Sequence, residues 1–125
     1  MYSRSAATAY KTVDLESAPK TQIVERLYER FARDVEEARM AIGSKDIHGK
    51  ARALDHAIRI ATELRAALDH AAAPALCANL DALYEFVIGR LSECNSSLQT
   101  KPLDQAAKIM AELGDAFRIA HTRAR

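Results

Sequence analysis

The sequence has no tryptophan, and aromatic residues of every kind make up only 6% of it. Glycine and proline are nearly as scarce, four and three residues in a chain of 125. Sandwiches and barrels need turn residues at close intervals and nucleotide-binding loops need clustered glycines, so both classes are disfavoured. The glycines Gly43, Gly49, Gly89 and Gly114 each stand alone. No charge of one sign predominates: 18 Lys and Arg face 17 Asp and Glu, for a formal net charge of +1. Surfaces that hold nucleic-acid phosphates or anionic lipid carry a basic excess, so neither a nucleic-acid nor a membrane partner is expected. No apolar run approaches the length of a membrane span. Residues Met1 to Ala7 lack the apolar core of a signal peptide, which points to a cytoplasmic location. The only cysteines, Cys77 and Cys94, fall in one predicted helix. At about 1.5 Å of rise per residue they stand far beyond disulfide reach and read as reduced, half-buried thiols.

What the chain does have is alanine, about a fifth of all residues. Alanine is the best helix former and glycine and proline are the worst, so the chain reads as all-α. Residues 1–18 show little helical periodicity and form a mobile or docked N-terminal segment whose anchors are Tyr2, Tyr10, Val13 and Leu15. Residues 19–125 form the bundle. The first predicted helix opens at Ser17-Ala18-Pro19, carries the stripe Ile23, Leu27, Phe31, Val35 and Ala38, and stops at Gly43. The second runs from the Asp46–Lys50 region to about His70 on Leu54, Ile58, Ala61, Leu64 and Leu68. Pro74 starts the third, whose seam is Leu76, Leu80, Leu83, Val87 and Leu91, with Tyr84, Phe86 and Ile88 outside it. The fourth starts near Thr100-Lys101-Pro102 on Leu103, Ala106, Ala107, Met110, Leu113, Phe117 and Ala120. Long helices with short connections predict an antiparallel up-down four-helix bundle.

Catalytic and metal signatures are missing. The histidines His48, His56, His70 and His121 make no Glu-x-x-His pair, no His-Glu-x-x-His and no zinc-spaced cluster with cysteine, so no metal and no cofactor are expected. No nucleophile, base and orienter stand out, and the chain reads as a non-enzyme. One alternative concerns His56. Histidine phosphotransfer domains are four-helix bundles that present a mid-helix histidine, and Arg59 one turn on could stabilise a phosphoryl group. Ala57-Ile58-Arg59-Ile60 stands where those domains have Leu-Lys-Gly.

Apolar residues exceed what one seam needs. Ile58 and Ile60 lie far apart on the helical wheel, and Tyr84 and Phe86 flank the third-helix seam. A broad face buried by two neighbours and a groove for an amphipathic partner helix both account for this pattern.

The stretch Ala78-Asn79-Leu80-Asp81-Ala82-Leu83-Tyr84-Glu85-Phe86, with Arg90-Leu91 and Cys94-Asn95, resembles the Asn-Leu-x-x-Leu-Tyr-x-Tyr/Phe…Arg-Leu…Asn helix of FliS-type flagellar export chaperones. Met1-Tyr2, Ala9-Tyr10, Ser17-Ala18-Pro19, Ile23-Val24-Glu25-Arg26-Leu27-Tyr28-Glu29 and Ala116-Phe117 agree in order, so the resemblance covers essentially the whole chain. Departures are Glu29-Arg30 for the family's Asp-Gly, Phe117 for its Trp and Leu68-Asp69 for its Leu-Asn. The resemblance implies a cytosolic chaperone that binds the disordered C-terminal segment of flagellin, blocks premature polymerisation and delivers it to the export gate. It also implies that Tyr2, Tyr10 and Val13 serve as a displaceable lid. The expected partner contacts are Ile58, Asn79, Tyr84 and Phe86 on the outer faces of the second and third helices, with Tyr28 and Tyr10 as pocket or lid. The expected oligomeric state is a monomer or a weak homodimer.

Overall fold

The computed structural model describes residues 18–97 and 99–124, with side chains for 22–97 and 99–119. The expected lid, with Tyr2, Tyr10 and Val13, lies outside the described residues, as do the side chains of Ala120, His121, Arg123 and Arg125. Four helices make up the described chain: α1 (Ala18–Gly43), α2 (Ile47–Ala66), α3 (Pro74–Ser96) and α4 (Lys101–Ala124). Among the described residues no helix is long and apolar enough to cross a membrane. Each helix packs on its sequence neighbours, and α1 closes the ring against α4. Side-chain pairs show that neighbours run antiparallel. Tyr28, early in α1, lies 6.2 Å from Phe117, late in α4, between ring centroids. At the other end of the same pair, Arg39 binds Asp104 in the first turn of α4 at 2.5 Å.

The boundaries follow local chemistry. Asp46 caps α2, and its carboxylate accepts from the Gly49 N–H at 2.9 Å. A Cβ at position 49 would collide with the Asp46 carboxylate, so the cap requires glycine there. Pro74 and Pro102 occupy the first turns of α3 and α4, where a missing N–H costs nothing. The expectation that the second helix reaches His70 is corrected: α2 ends at Ala66. Asp69 then folds a turn, accepting from the Ala72 N–H through both its backbone and its side chain. Leu68 remains buried although it is past the helix end.

The core is continuous through all four helices. In α1 it takes Val24, Tyr28, Phe31, Val35, Ala38 and Ala41, while Ile23, expected in the stripe, is 57% exposed. In α3 the buried set is Cys77, Leu80, Tyr84, Val87, Leu91 and Cys94. Leu76 and Leu83, expected in the seam, are only partly buried. The true seam keeps the alternating three- and four-residue step through Cys77 and Tyr84, one position on from the leucines. Cys77 and Cys94 are free thiols, fully buried rather than half-buried.

Two charged residues are also buried. Lys50 donates from Nζ to the carbonyls of Asn95 and Ser97, both at 3.1 Å. These carbonyls lie at the C-terminal end of α3, where a helix has no partners of its own and attracts cations. Asp34, 2% exposed, is held by His56.

Candidate functional site

The expected contacts do not form a single patch. Tyr84 was expected on an outer face and is instead fully buried. Its phenol oxygen hydrogen-bonds that of Tyr28 at 2.7 Å across the interior. A phenol is retained in a core where its hydroxyl finds a partner, and the tyrosine pair supplies one from each side. Tyr28 is itself 8% exposed. Asn79 and Phe86 are exposed and, seven residues apart, share the outward face of α3. Phe86 is 45% exposed, and the Arg90 guanidinium sits 5.5 Å from its ring centroid. Ile58 is partly buried against the core. It lies one heptad before Arg65, on the side of α2 that faces Asp81 and Glu85, and so on the opposite flank of α3 from Phe86.

Arg65 closes that flank. Its Nε and Nη2 donate to the two oxygens of Asp81 at 2.6 and 3.1 Å, and Nη2 also reaches Glu85 at 3.2 Å. The guanidinium beside it holds the Asp81 carboxyl below the usual range. Asp81 and Glu85 therefore serve as a clasp between α2 and α3 rather than as a merely solvated pair.

The outward face of α3 carries Ala75, Ala82, Phe86 and Gly89, all exposed. A methyl group at Gly89 would meet nothing within 4 Å. This face combines small side chains, which admit close approach of a second backbone, with one large aromatic. Between α1 and α4 a cavity of about 360 Å³ is floored by Tyr28, Phe31, Val35, Met110 and Gly114 and rimmed by Glu29, Glu36, Arg39, Asp115 and Arg118. An apolar floor with a mixed-charge rim suits the apolar stripe of an amphipathic segment. A Cβ at Gly114 would lie 3.2 Å from Tyr28 Cγ, so glycine lets the tyrosine ring seat against α4. Sequence spacing did not point to this cavity, because its rim and floor come from helices at opposite ends of the chain. The isolated Gly114 in a helical run was its one signal.

No group of His, Cys, Asp and Glu among the described residues could hold a metal ion. The mid-helix histidine, His56, lines a separate polar cleft between α1 and α2.

The architecture and these faces define an antiparallel four-helix bundle with a complete core and apolar side chains left on its outer surface. The chain belongs to the FliS family: the family model for flagellar protein FliS matches residues 2–124. It is similar to the flagellar secretion chaperone FliSB of Pseudomonas aeruginosa, 32% identical over 117 residues that cover 90% of this chain and 93% of that protein. It is also similar to the flagellar secretion chaperones FliS of Salmonella typhimurium, 28% identical with 94% and 91% covered, and of Escherichia coli, 27% identical with 94% and 90% covered.

Proposed function

We propose that this chain is a cytoplasmic export chaperone for flagellin, binding its C-terminal segment and keeping it unassembled until delivery to the export gate. The observation that carries the reading is the family membership over nearly the whole chain, shared with relatives named flagellar secretion chaperones. It takes precedence over a phosphotransfer module as the account of the whole chain. The physical chemistry supports it. A helix-forming segment disordered when free loses conformational entropy on binding, so it can wrap a large surface and still be released. The bundle meets such a segment with an already completed core and has no need to refold.

Within this reading the contacts divide by accessibility. Phe86 and Asn79 present the outward face of α3, and Ile58 lines its other flank. Tyr28 floors the α1/α4 cavity, and Tyr84 positions Tyr28 through their hydroxyl contact rather than touching the partner. Tyr10 and the N-terminal segment 1–18 act as the lid over bundle residues 19–125. The working unit is a monomer or weak homodimer.

Calorimetric titration with a peptide of the flagellin C-terminal segment tests the function. The expected result is binding with a rise in helicity and a negative heat-capacity change. Phe86→Glu, on an exposed site, should weaken binding about tenfold or more with the fold intact. An absence of binding to the cognate segment overturns the proposal. Unchanged affinity in Phe86→Glu removes α3 from the interface.

A further inference from the structure

The cleft between α1 and α2 has a volume of about 750 Å³ and brings His56 and three arginines, Arg30, Arg52 and Arg59, together with four carboxylates, Asp34, Glu37, Asp46 and Asp55. It is more polar than the α1/α4 cavity and takes no part in the chaperone reading. Asp34 is buried at the back of the cleft, and its Oδ2 stands 2.5 Å from His56 Nδ1. Its Oδ1 lies 3.6 Å from the Arg30 guanidinium. A carboxylate only accepts, so Nδ1 carries the hydrogen in this bond and the lone pair of a neutral ring lies on Nε2. The His56 side chain is 35% exposed, which leaves the ring reachable from the cleft. Arg52 and Arg59 lie four residues before and three after His56, on the same helical face. Neither has an ion-pair partner among the described residues, whereas Arg39, Arg65, Arg90 and Arg118 are paired.

We propose that His56 is a phosphoryl-accepting residue, modified at Nε2 by an activated phosphoryl donor such as an acyl phosphate. The chemistry follows from the layout. The Nε2 lone pair forms the N–P bond while the bond from phosphorus to the leaving oxygen breaks, its electron pair departing with the carboxylate. No proton has to leave, because Nδ1–H stays bonded to Asp34. The ring becomes cationic as the N–P bond forms, and the buried Asp34 carboxylate is placed to stabilise that charge and to fix the ring. The unpaired guanidinium groups of Arg52 and Arg59 provide planar donors for the phosphoryl oxygens. A phosphoryl group there would put negative charge at the α1/α2 seam, remote from the α3 face and on the side of α1 opposite the α1/α4 cavity.

Incubating the full chain with acetyl phosphate or with phosphoramidate and weighing it intact tests this. The expected result is a single phosphoryl increment that is lost in acid, maps to His56 and is absent in His56→Gln. Arg59→Ala, on an exposed position, should slow incorporation about tenfold or more, as loss of one donor to the transferring oxygens does. Asp34→Asn should slow it further, with circular dichroism confirming the fold. No incorporation from either donor overturns the proposal, and so does incorporation that persists in His56→Gln. Binding of the flagellin segment is measured separately, so failure here leaves the chaperone reading untouched, and the reverse holds too.

Discussion

Helix α1 forms two seams of opposite character. Toward α4 it presents Tyr28, Phe31 and Val35 to Met110, Gly114 and Phe117, and the contact is ring against backbone. Toward α2 it presents Arg30, Asp34 and Glu37 to Arg52, His56 and Arg59, and the central contact is a buried carboxylate on an imidazole. The first seam is held by apolar area and close packing. The second shares the apolar core and adds to it one buried polar pair, Asp34 with His56. A bundle can therefore have one side that tolerates polar exchange poorly and another that tolerates the loss of a single polar partner poorly.

Four substitutions test that contrast, from the largest expected effect to the smallest. Phe117→Ala removes the α4 ring from a fully buried site and should cost about 3–5 kcal/mol in denaturant unfolding. His56→Ala leaves Asp34 buried with Arg30 as its one remaining ion-pair partner among the described residues and should cost about 1–3 kcal/mol. If His56→Ala proved as costly as Phe117→Ala, the polar seam would rank with the aromatic one in holding the bundle. Gly114→Ala brings a methyl group to 3.2 Å from Tyr28 Cγ, on a ring whose hydroxyl is held by Tyr84 and which packs on Phe117. Overpacking of about 1–3 kcal/mol should outweigh a helix-propensity gain of about 1 kcal/mol. The same change at Gly89, which faces open space, should stabilise by about 0.5–1 kcal/mol. Equal effects at the two glycines would show that propensity alone governs both.

The smallest effect concerns pH. Arg65 holds the Asp81 carboxyl below its usual range. The stabilisation is therefore complete above the unfolded carboxylate pKa and fades as pH falls through the depressed value. Wild type should lose more stability on acidification than Arg65→Ala, with thermal melts at neutral and acidic pH as the measure. An identical acid loss in both proteins would remove Asp81 from the account.

Most of the architecture was legible in the sequence, because it rests on local signals. Pro74 and Pro102 mark helix starts, Gly43 ends α1, and the apolar spacing gives the stripes. The α3 seam was misplaced for a local reason too. The series Leu76, Leu80, Leu83 and Val87 competes with Cys77, Leu80, Tyr84 and Val87, and the two differ by one position at the first and third places. Leucine looks like core and tyrosine like surface, but the hydroxyl of Tyr28 makes the second series the buried one. That partner lies 56 residues away, and no window along α3 contains it. The same limit hid Asp34. Its partner is His56, 22 residues on, and no window along α1 contains it. The candidate contacts were half legible: Phe86 and Asn79 are on the surface as expected, whereas Tyr84 is inside.

The two thiols of α3 have a practical consequence. Each is fully buried, pushed up in pKa by burial, and directed at a loop carbonyl: Cys77 at Asp69 near one end of the helix, Cys94 at Gln99 near the other. Thiolate is the reactive form, so neither reacts readily while the bundle is closed. Alkylation of Cys77 reports the opening of one end of the molecule and alkylation of Cys94 the opening of the other. The native chain thus carries a pair of internal clocks, readable by mass and requiring no engineered label, that would tell whether a partner clamps the bundle evenly or from one end.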